Sequence, residues 1–134
     1  LVALESSNSF WDKVERLVKS HVDTLLEFPD IPFFIMFELS QQRQSFVDEL
    51  RKRAGFKPIQ SLMESMMVEV EKGTIRQVDP IHFFLSLNSL SVFPFMARPI
   101  VCTVAEIPEA TYDGLLKERV DFIMDFLKHA LRPE

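Results

Sequence analysis

Apolar residues recur at every third or fourth position over most of the chain, which is the spacing of one face of an α-helix. The first segment shows the pattern clearly, with Trp11, Val14, Val18, His21, Val22 and Leu25 on one face. Ser9 is a suitable N-cap for this helix, and Pro29 disfavours helical geometry in the residue before it, Phe28. The pattern therefore predicts a first helix that follows Ser9 and ends near Phe28. No stretch of useful length alternates as a strand would.

Proline and glycine mark the boundaries of the next helices. A second helix is expected from Ile31 to about Gln42, because Asp30 and Pro32 supply an N-cap and a first-turn proline. A third helix over about 45–54 and a fourth over about 57–72 each stop before a glycine, which is a common helix terminator.

The last two helices are more apolar than the others. The fifth begins with the cap Asp79 and with Pro80, is apolar almost all round, and is expected to kink or break at Pro94 and Pro99. The sixth is expected over about 111–131, and its apolar residues span an arc of about 200°. That arc is wider than one neighbouring helix needs. The sequence therefore predicts an all-α bundle of about six helices, whose last two helices form a four-helix interface with a second copy.

Length and composition narrow the class of protein. The 134 residues fit one domain spanning 1–134. A net charge of −5 argues against direct nucleic-acid binding. Cys102 is the only cysteine, so no disulfide can form within the chain and a reducing, cytoplasmic location is expected. No apolar stretch reaches the roughly 18–20 residues of a membrane span, so no membrane partner is expected.

No motif for catalysis, metal binding or phosphate binding is visible. The three histidines, His21, His82 and His129, lie far apart, and no two of them are three or four residues from each other. We therefore expect no enzymatic activity, no cofactor and no metal site. His82 is the polar residue best placed for a site, since it precedes Phe83 and Phe84 on an apolar helix. Its ring would serve equally well as a hydrogen-bond partner for a neighbouring helix end.

Three segments resemble parts of TetR-type transcriptional regulators. The first is Gly73-Thr74-Ile75-Arg76-Gln77-Val78-Asp79-Pro80, followed by the apolar helix 81–96 with its Phe93-Pro94 pair. The second is the ending 117–133, which resembles the final helix and terminal Leu-x-Pro of that family. The third is the segment 28–38, which resembles the short helix that opens the middle of the effector domain. Together the three segments extend the resemblance over nearly the whole chain.

The resemblance implies the effector-sensing and dimerisation domain of such a regulator, without its N-terminal helix-turn-helix domain. Residues 1–5 would then be the tail of the helix that connects the two domains. Ligand binding would shift the dimer between forms with different spacing of the DNA-reading helices, and so change operator affinity. The implied partners are a second copy and a hydrophobic or amphipathic small molecule, with DNA bound only through the missing domain.

The implied effector pocket lies inside the bundle, where its lining would be mainly apolar with a few polar anchors. The residues expected to line it are Phe33, Phe37, Met63, Met66, Met67, Phe83, Phe84 and Met96, with His82 and Asn88 as polar candidates. The residues expected at the dimer interface are Val92, Phe95, Leu115, Phe122, Ile123, Phe126, Leu127 and Leu131. The pocket residues would serve equally well as plain core.

Two other functions stay open. A helical interaction module that binds a partner helix, without a small-molecule pocket, would use the same wide apolar arc on the last helix. A small helical enzyme acting on an apolar substrate would need titratable groups around a pocket, such as His82 beside Glu38 or Glu64. A monomeric chain would favour the interaction module over the regulator domain.

Overall fold

Seven helices make up the part of the chain that the computed structural model describes, residues 9–54 and 57–134. In chain order they are α1 (Phe10–Glu27), α2 (Ile31–Ala54), α3 (Lys57–Lys72), α4 (Pro80–Met96), α5 (Arg98–Val104), α6 (Glu109–Lys117) and α7 (Arg119–Ala130). No strand occurs in these residues. The all-helical class predicted from the hydrophobic spacing is therefore confirmed for them, whereas the predicted connecting tail at residues 1–5 lies outside them.

Helix α1 contacts four other helices, α3, α4, α6 and α7. The hydroxyl of Ser9 accepts a hydrogen bond from the backbone N–H of Asp12 at 3.2 Å, which confirms the predicted N-cap. Trp11 and His21 are only half-buried. The buried side chains of the helix are Phe10, Lys13, Val14, Leu17, Val18, Val22 and Leu25.

The rest of the core comes from α3, the segment before α4, and α4, α6 and α7. Its buried apolar members there are Leu62, Met66, Ile75, Phe83, Leu87, Phe95, Tyr112, Leu116, Ile123, Met124, Leu127 and Leu131. Helix α2 contributes little to this core, although it contacts α4. The second and third helices predicted from the sequence join in α2 as one run, with a kink at Gln42 where the backbone leaves helical geometry (φ −138°, ψ 58°).

Gly73 ends α3, as predicted, in the left-handed region at φ 75°. A residue with a side chain is disfavoured there, because its Cβ would crowd the following carbonyl. The backbone N–H groups of Gly73 and Thr74 donate to the carbonyls of Val70 (3.0 Å) and Glu69 (3.1 Å), which satisfies the end of the helix. After this turn, the backbone N–H of Arg76 donates to the carbonyl of Leu131, the residue that follows α7, at 3.0 Å.

Helix α4 begins as predicted, with the Asp79 carboxylate accepting a bond from the N–H of Ile81 at 2.8 Å. It continues through Pro94, and the break predicted in this region falls at Ala97, where α5 turns away by 63°. Pro99 then lies in the first turn of α5, where its missing N–H removes no helix bond. Among the described residues no single helix is long and apolar enough to cross a membrane, but α4 and α5 pass that test as a bent pair.

The sixth predicted helix is divided into α6 and α7 at Glu118. The backbone N–H of Glu118 is shared between the carbonyls of Gly114 (3.3 Å) and Leu115 (3.1 Å), so one turn is tightened rather than unwound. No proline marks this position. The break precedes Arg119, whose side chain reaches across to α4.

Candidate functional site

One side of α4, α6 and α7 exposes six large apolar side chains, and we call this surface the α4–α7 face. Its members, with the exposed fraction of each residue, are Ile81 (56%), Leu85 (57%), Phe93 (64%), Leu115 (45%), Phe122 (55%) and Phe126 (51%). Members of α4 and of α6–α7 border the same depressions, so they form one surface. A shallow depression is bordered by Leu85 and Phe126. A deeper depression is bordered by Phe93, Leu115 and Phe122.

The helical spacing of these residues explains why they emerge together. At about 100° per residue, Leu85 and Phe93 lie about 40° and about 120° from Ile81 around α4, so the three emerge within one third of the circumference of the helix. Phe122 and Phe126 are also four residues apart on α7, and their rings stack with centroids separated by 6.1 Å. The two stacked rings are each about half exposed, so they form an apolar surface that the described residues leave uncovered.

The deeper depression lies between α4, α5, α6 and α7, and we call it the Arg119 groove. Its volume is about 320 Å³. Its lining is mainly apolar, with Arg119 and Glu118 as the charged members. The residues that border it are Phe93, Pro94, Ala97, Val101, Tyr112, Leu115, Leu116, Glu118, Arg119 and Phe122.

Pro94 determines how the side of this groove is built. Proline has no N–H, so the carbonyl of Leu90, one turn earlier in α4, lacks its usual helical donor. A guanidinium nitrogen of Arg119, Nη2, supplies a donor to that carbonyl at 2.8 Å. The hydroxyl of Tyr112 donates to the carbonyl of Pro94 at 2.5 Å. The carbonyl that Pro94 leaves without a donor thus holds one cation beside the groove, and the carbonyl of Pro94 itself, in the last turn of α4, holds one phenol.

The Arg119 guanidinium has no carboxylate partner within the described residues. Its Nε is buried and without a hydrogen-bond partner there, and its Cζ lies 5.2 Å from the centre of the Phe122 ring. Burial lowers the pKa of Arg119 from its ordinary value, because the charged form loses hydration. Arg98 provides a contrast, since its side chain pairs with both Glu109 and Asp113 at 2.6 Å, and these bonds raise its pKa.

The residues predicted to line an effector pocket occupy several different environments. Met66 and Phe83 are buried in the core, and Met63, Phe84, Asn88 and Met96 are half-buried. Phe33, Phe37, Met67 and His82 are exposed. The side-chain amide of Asn88 donates to the carbonyl of Phe84 at 2.9 Å, within its own helix.

The structure does not bring these ten residues around one cavity. His82 borders the shallow depression beside Phe126, Met67 borders another next to Asp79, and Asn88 and Met96 border a third. None of the ten borders the Arg119 groove. The only sequence signal for that groove was Pro94, which frees a carbonyl one turn earlier but does not tell which cation reaches it.

The residues predicted for a dimer interface divide into two groups. Leu115, Phe122 and Phe126 belong to the α4–α7 face, and Val92 is half-buried. Phe95, Ile123, Leu127 and Leu131 are at most 5% exposed in the core of the single chain, so they have almost no surface to offer a partner. Sequence analysis missed the exposure of Ile81, Leu85 and Phe93, because α4 is apolar on every side and its outward row cannot be distinguished by composition.

Two polar groups are buried on α1. Lys13 is 3% exposed, and its Nζ donates to the hydroxyls of Ser61 (3.2 Å) and Ser65 (2.5 Å) on α3. Nδ1 of His21 is buried with no partner among the described residues, and burial lowers the pKa of this imidazole from 6.5. No group of three or more His, Cys, Asp or Glu residues in the described ranges is arranged to hold a metal ion.

Comparison of the chain with protein-family models, with curated proteins and with solved structures finds no match. The resemblance to TetR-type regulators therefore rests on the short segments of the sequence alone. The features of this chain that bear on function are the α4–α7 face and the Arg119 groove.

Proposed function

We propose that this chain is the homodimerising, effector-sensing part of a TetR-like transcriptional regulator, and that two copies pair through the α4–α7 face. The observation that carries the proposal is the uncovered apolar surface of that face. The sequence resemblance supports the same pairing, because it implies that the two long C-terminal helices of each copy form a four-helix bundle. The exposed side chains and the resembling segments thus lie on the same helices.

The size of the face supports a protein partner. At roughly 200 Å² for a large side chain, six half-exposed side chains leave about 600 Å² of apolar surface. The largest apolar patch on a typical monomer covers about 300–600 Å². A stable interface buries about 800 Å² on each partner. The face is thus at the upper limit for a monomer, and with its polar rim it has the area that one side of a dimer needs.

A second copy suits this surface because a two-fold contact is self-complementary. Each copy would contribute α4 and α7, and the phenylalanines of one copy would pack against the aliphatic side chains of the other. The exposed charged residues of α7, such as Asp121, Asp125 and Lys128, would lie at the rim, where they remain hydrated.

In the proposed regulator, an effector acts by binding one arrangement of the dimer better than another. The change in operator affinity then equals the difference in effector affinity between the two arrangements. DNA would be bound by a helix-turn-helix domain outside this chain. No catalytic step is part of this proposal.

The mass of the chain in solution tests the dimer. Sedimentation equilibrium should give twice the 15.6 kDa of one chain. The double variant Leu85→Glu/Phe126→Glu should give 15.6 kDa, because it places four carboxylates in the seam of each dimer without touching the core. Circular dichroism should show that its helical content is unchanged.

The matched control is Phe34→Glu/Phe37→Glu on α2, where the exposed fractions are 59% and 60%. These side chains are as exposed as those of the α4–α7 face but lie on another helix, so this variant should remain dimeric. A monomeric wild-type chain, or a dimer that survives the Leu85→Glu/Phe126→Glu change, would contradict the proposal. If only the α2 variant becomes monomeric, the dimer interface is formed by α2 and not by the α4–α7 face.

The exposed aromatic residues of α2 favour a second candidate function, a helical interaction module. Phe33, Phe34, Met36 and Phe37 are each about half-exposed or more. An apolar row of this kind is suited to a partner helix of another protein. A wild-type chain that is monomeric in sedimentation would favour this function over the regulator domain.

A further inference from the structure

We propose that the Arg119 groove binds a small monocarboxylate with an apolar body, such as a medium-chain fatty acid. The inference deepens the proposed sensing function, because it names a class of effector and a site for it. This site differs from the pocket inside the bundle that the sequence resemblance implies. The groove holds a cation, Arg119, that no carboxylate of the described residues neutralises.

The guanidinium of Arg119 is the chemical anchor. A guanidinium has five N–H donors, and the Leu90 carbonyl takes one of them. No carboxylate among the described residues pairs with it, whereas Arg98 nearby has two. A cation that is partly removed from water and left without a counter-ion is unfavourable, so a carboxylate bound beside it gains more than it would at an exposed arginine.

The guanidinium is also held in place before any ligand arrives. The bond to Leu90 fixes one nitrogen, and the Phe122 ring lies 5.2 Å from Cζ. A carboxylate therefore meets an oriented, planar donor set and not a freely rotating side chain, which reduces the entropy lost on binding.

The charge around the groove selects a monoanion. Among the described residues, Arg119 is the only cation that borders it, and Glu118 is exposed at the same border. A second negative charge on a ligand, as in a phosphate monoester, would find no second cation there and would be repelled by Glu118. One carboxylate balances the one guanidinium.

The size and lining of the groove define the body of the ligand. At about 30 Å³ for a water-sized group, a volume of about 320 Å³ holds about ten non-hydrogen atoms. Octanoate has that size. Val101, Leu116 and Phe93 line the groove with apolar surface, so an aliphatic chain is suited to it and a sugar or an amino acid is not.

The position of the groove would couple the ligand to the proposed dimer. Phe93, Leu115 and Phe122 border the groove and also belong to the α4–α7 face. A second copy on that face would cover the groove, so occupancy of one would alter the affinity of the other. This coupling rests on the proposed function, whereas binding of the carboxylate to one chain does not.

Isothermal titration of the full chain with sodium octanoate tests the site. For a ligand of this size we expect a Kd of about 0.1–1 mM. Octan-1-ol has the same body without the charge and should bind about tenfold more weakly or worse. Arg119→Gln should raise the octanoate Kd by about tenfold or more and leave octanol binding unchanged. The control Arg16→Gln, at an exposed position on α1, should change neither.

Val101→Phe gives a second measurement that leaves Arg119 in place. It fills part of the groove and should weaken octanoate and octanol alike, which keeps the test decisive if Arg119→Gln does not fold. Equal binding of octanoate and octanol, unchanged binding by both groove variants, or no binding at all would overturn the inference.

The Leu85→Glu/Phe126→Glu variant separates this inference from the dimer. Neither residue borders the Arg119 groove, so octanoate should still bind to the monomer that this change is expected to produce. If the wild-type chain is monomeric and binds octanoate, the ligand site is supported and only the dimer is refuted. If the wild-type chain is a dimer and neither it nor the Leu85→Glu/Phe126→Glu monomer binds octanoate, only the ligand site is refuted.

Discussion

Replacing Lys13 tests how much a buried charge lowers the free energy of unfolding of this bundle. Its ammonium is 3% exposed and is bonded to two serine hydroxyls on α3, and no carboxylate in the described residues pairs with it. Burying an ion costs several kcal/mol, and bonds to neutral hydroxyls offset only part of that cost. Lys13→Met keeps the apolar stem of the side chain and removes the charge. Without the ammonium, the hydroxyl of Ser65 can donate to the carbonyl one turn earlier in α3.

We expect Lys13→Met to raise the free energy of unfolding by about 1–4 kcal/mol, as when buried ionic groups are replaced by apolar ones of similar volume. For a chain of this length, each kcal/mol corresponds to roughly 3–5 °C in Tm. Lys13→Ala should be less stable than Lys13→Met by about 2–5 kcal/mol, because it also removes the packed stem. Urea unfolding followed by circular dichroism, at one fixed protein concentration, measures both differences.

Lys19→Met is the matched control on the same helix. Lys19 is exposed and forms an i,i+4 salt bridge with Asp23 at 2.7 Å, so its replacement should leave the stability nearly unchanged. If Lys13→Met instead lowers the free energy of unfolding by more than about 1 kcal/mol, the two hydroxyls stabilise the ammonium well, and the reasoning about its burial is wrong.

Two further predictions concern stability. Burial lowers the pKa of His21 below 6.5, so the unfolded chain binds the proton more readily and stability is lost as the pH falls through 6.5 towards the folded-state pKa. Urea unfolding at pH 7.5 and at pH 5.5 measures the loss of unfolding free energy between the two. This loss should be smaller in His21→Leu than in the wild-type chain, by at most about 1.4 kcal/mol per pH unit. Identical losses in the wild-type chain and in His21→Leu would refute this. Gly73→Ala should cost about 1–2 kcal/mol, because the residue has φ 75° while an added Cβ would meet no atom within 4 Å. Gly73→Asn should cost less, since asparagine tolerates that geometry better, and equal effects of alanine and asparagine would point to a cause other than the backbone.

The ends of the helices were predictable because their signals are local. Ser9 and Asp79 cap α1 and α4 as expected, and Gly73 ends α3 in the left-handed conformation. In each case the residue itself supplies the side-chain acceptor or the backbone freedom that a helix end needs. The boundary at Glu118 carries no such signal, and the sequence predicted one helix where the structure has two.

The candidate site was less predictable, because it depends on contacts between distant helices. The proline inside α4 indicates that the Leu90 carbonyl lacks a helical donor. The donor that replaces it belongs to Arg119, which lies 29 residues from Leu90 along the chain. Only the packing of α7 on α4 brings the two groups within bonding distance. That Arg119 has no carboxylate partner among the described residues likewise depends on how the helices pack.

The uncovered surface shows the same division between local and tertiary information. The sequence by itself determined that the chain is helical, where its capped helices begin, and that its last helices are too apolar for one neighbour, because periodicity and caps act within a few residues. Tertiary structure decided which apolar residues remain outside: Phe95, Ile123 and Leu127 are buried, whereas Phe93 and Phe122 are exposed. These residues have similar hydrophobicity, so only the rotation of each helix about its axis, set by packing against α1 and against each other, separates core from exposed face.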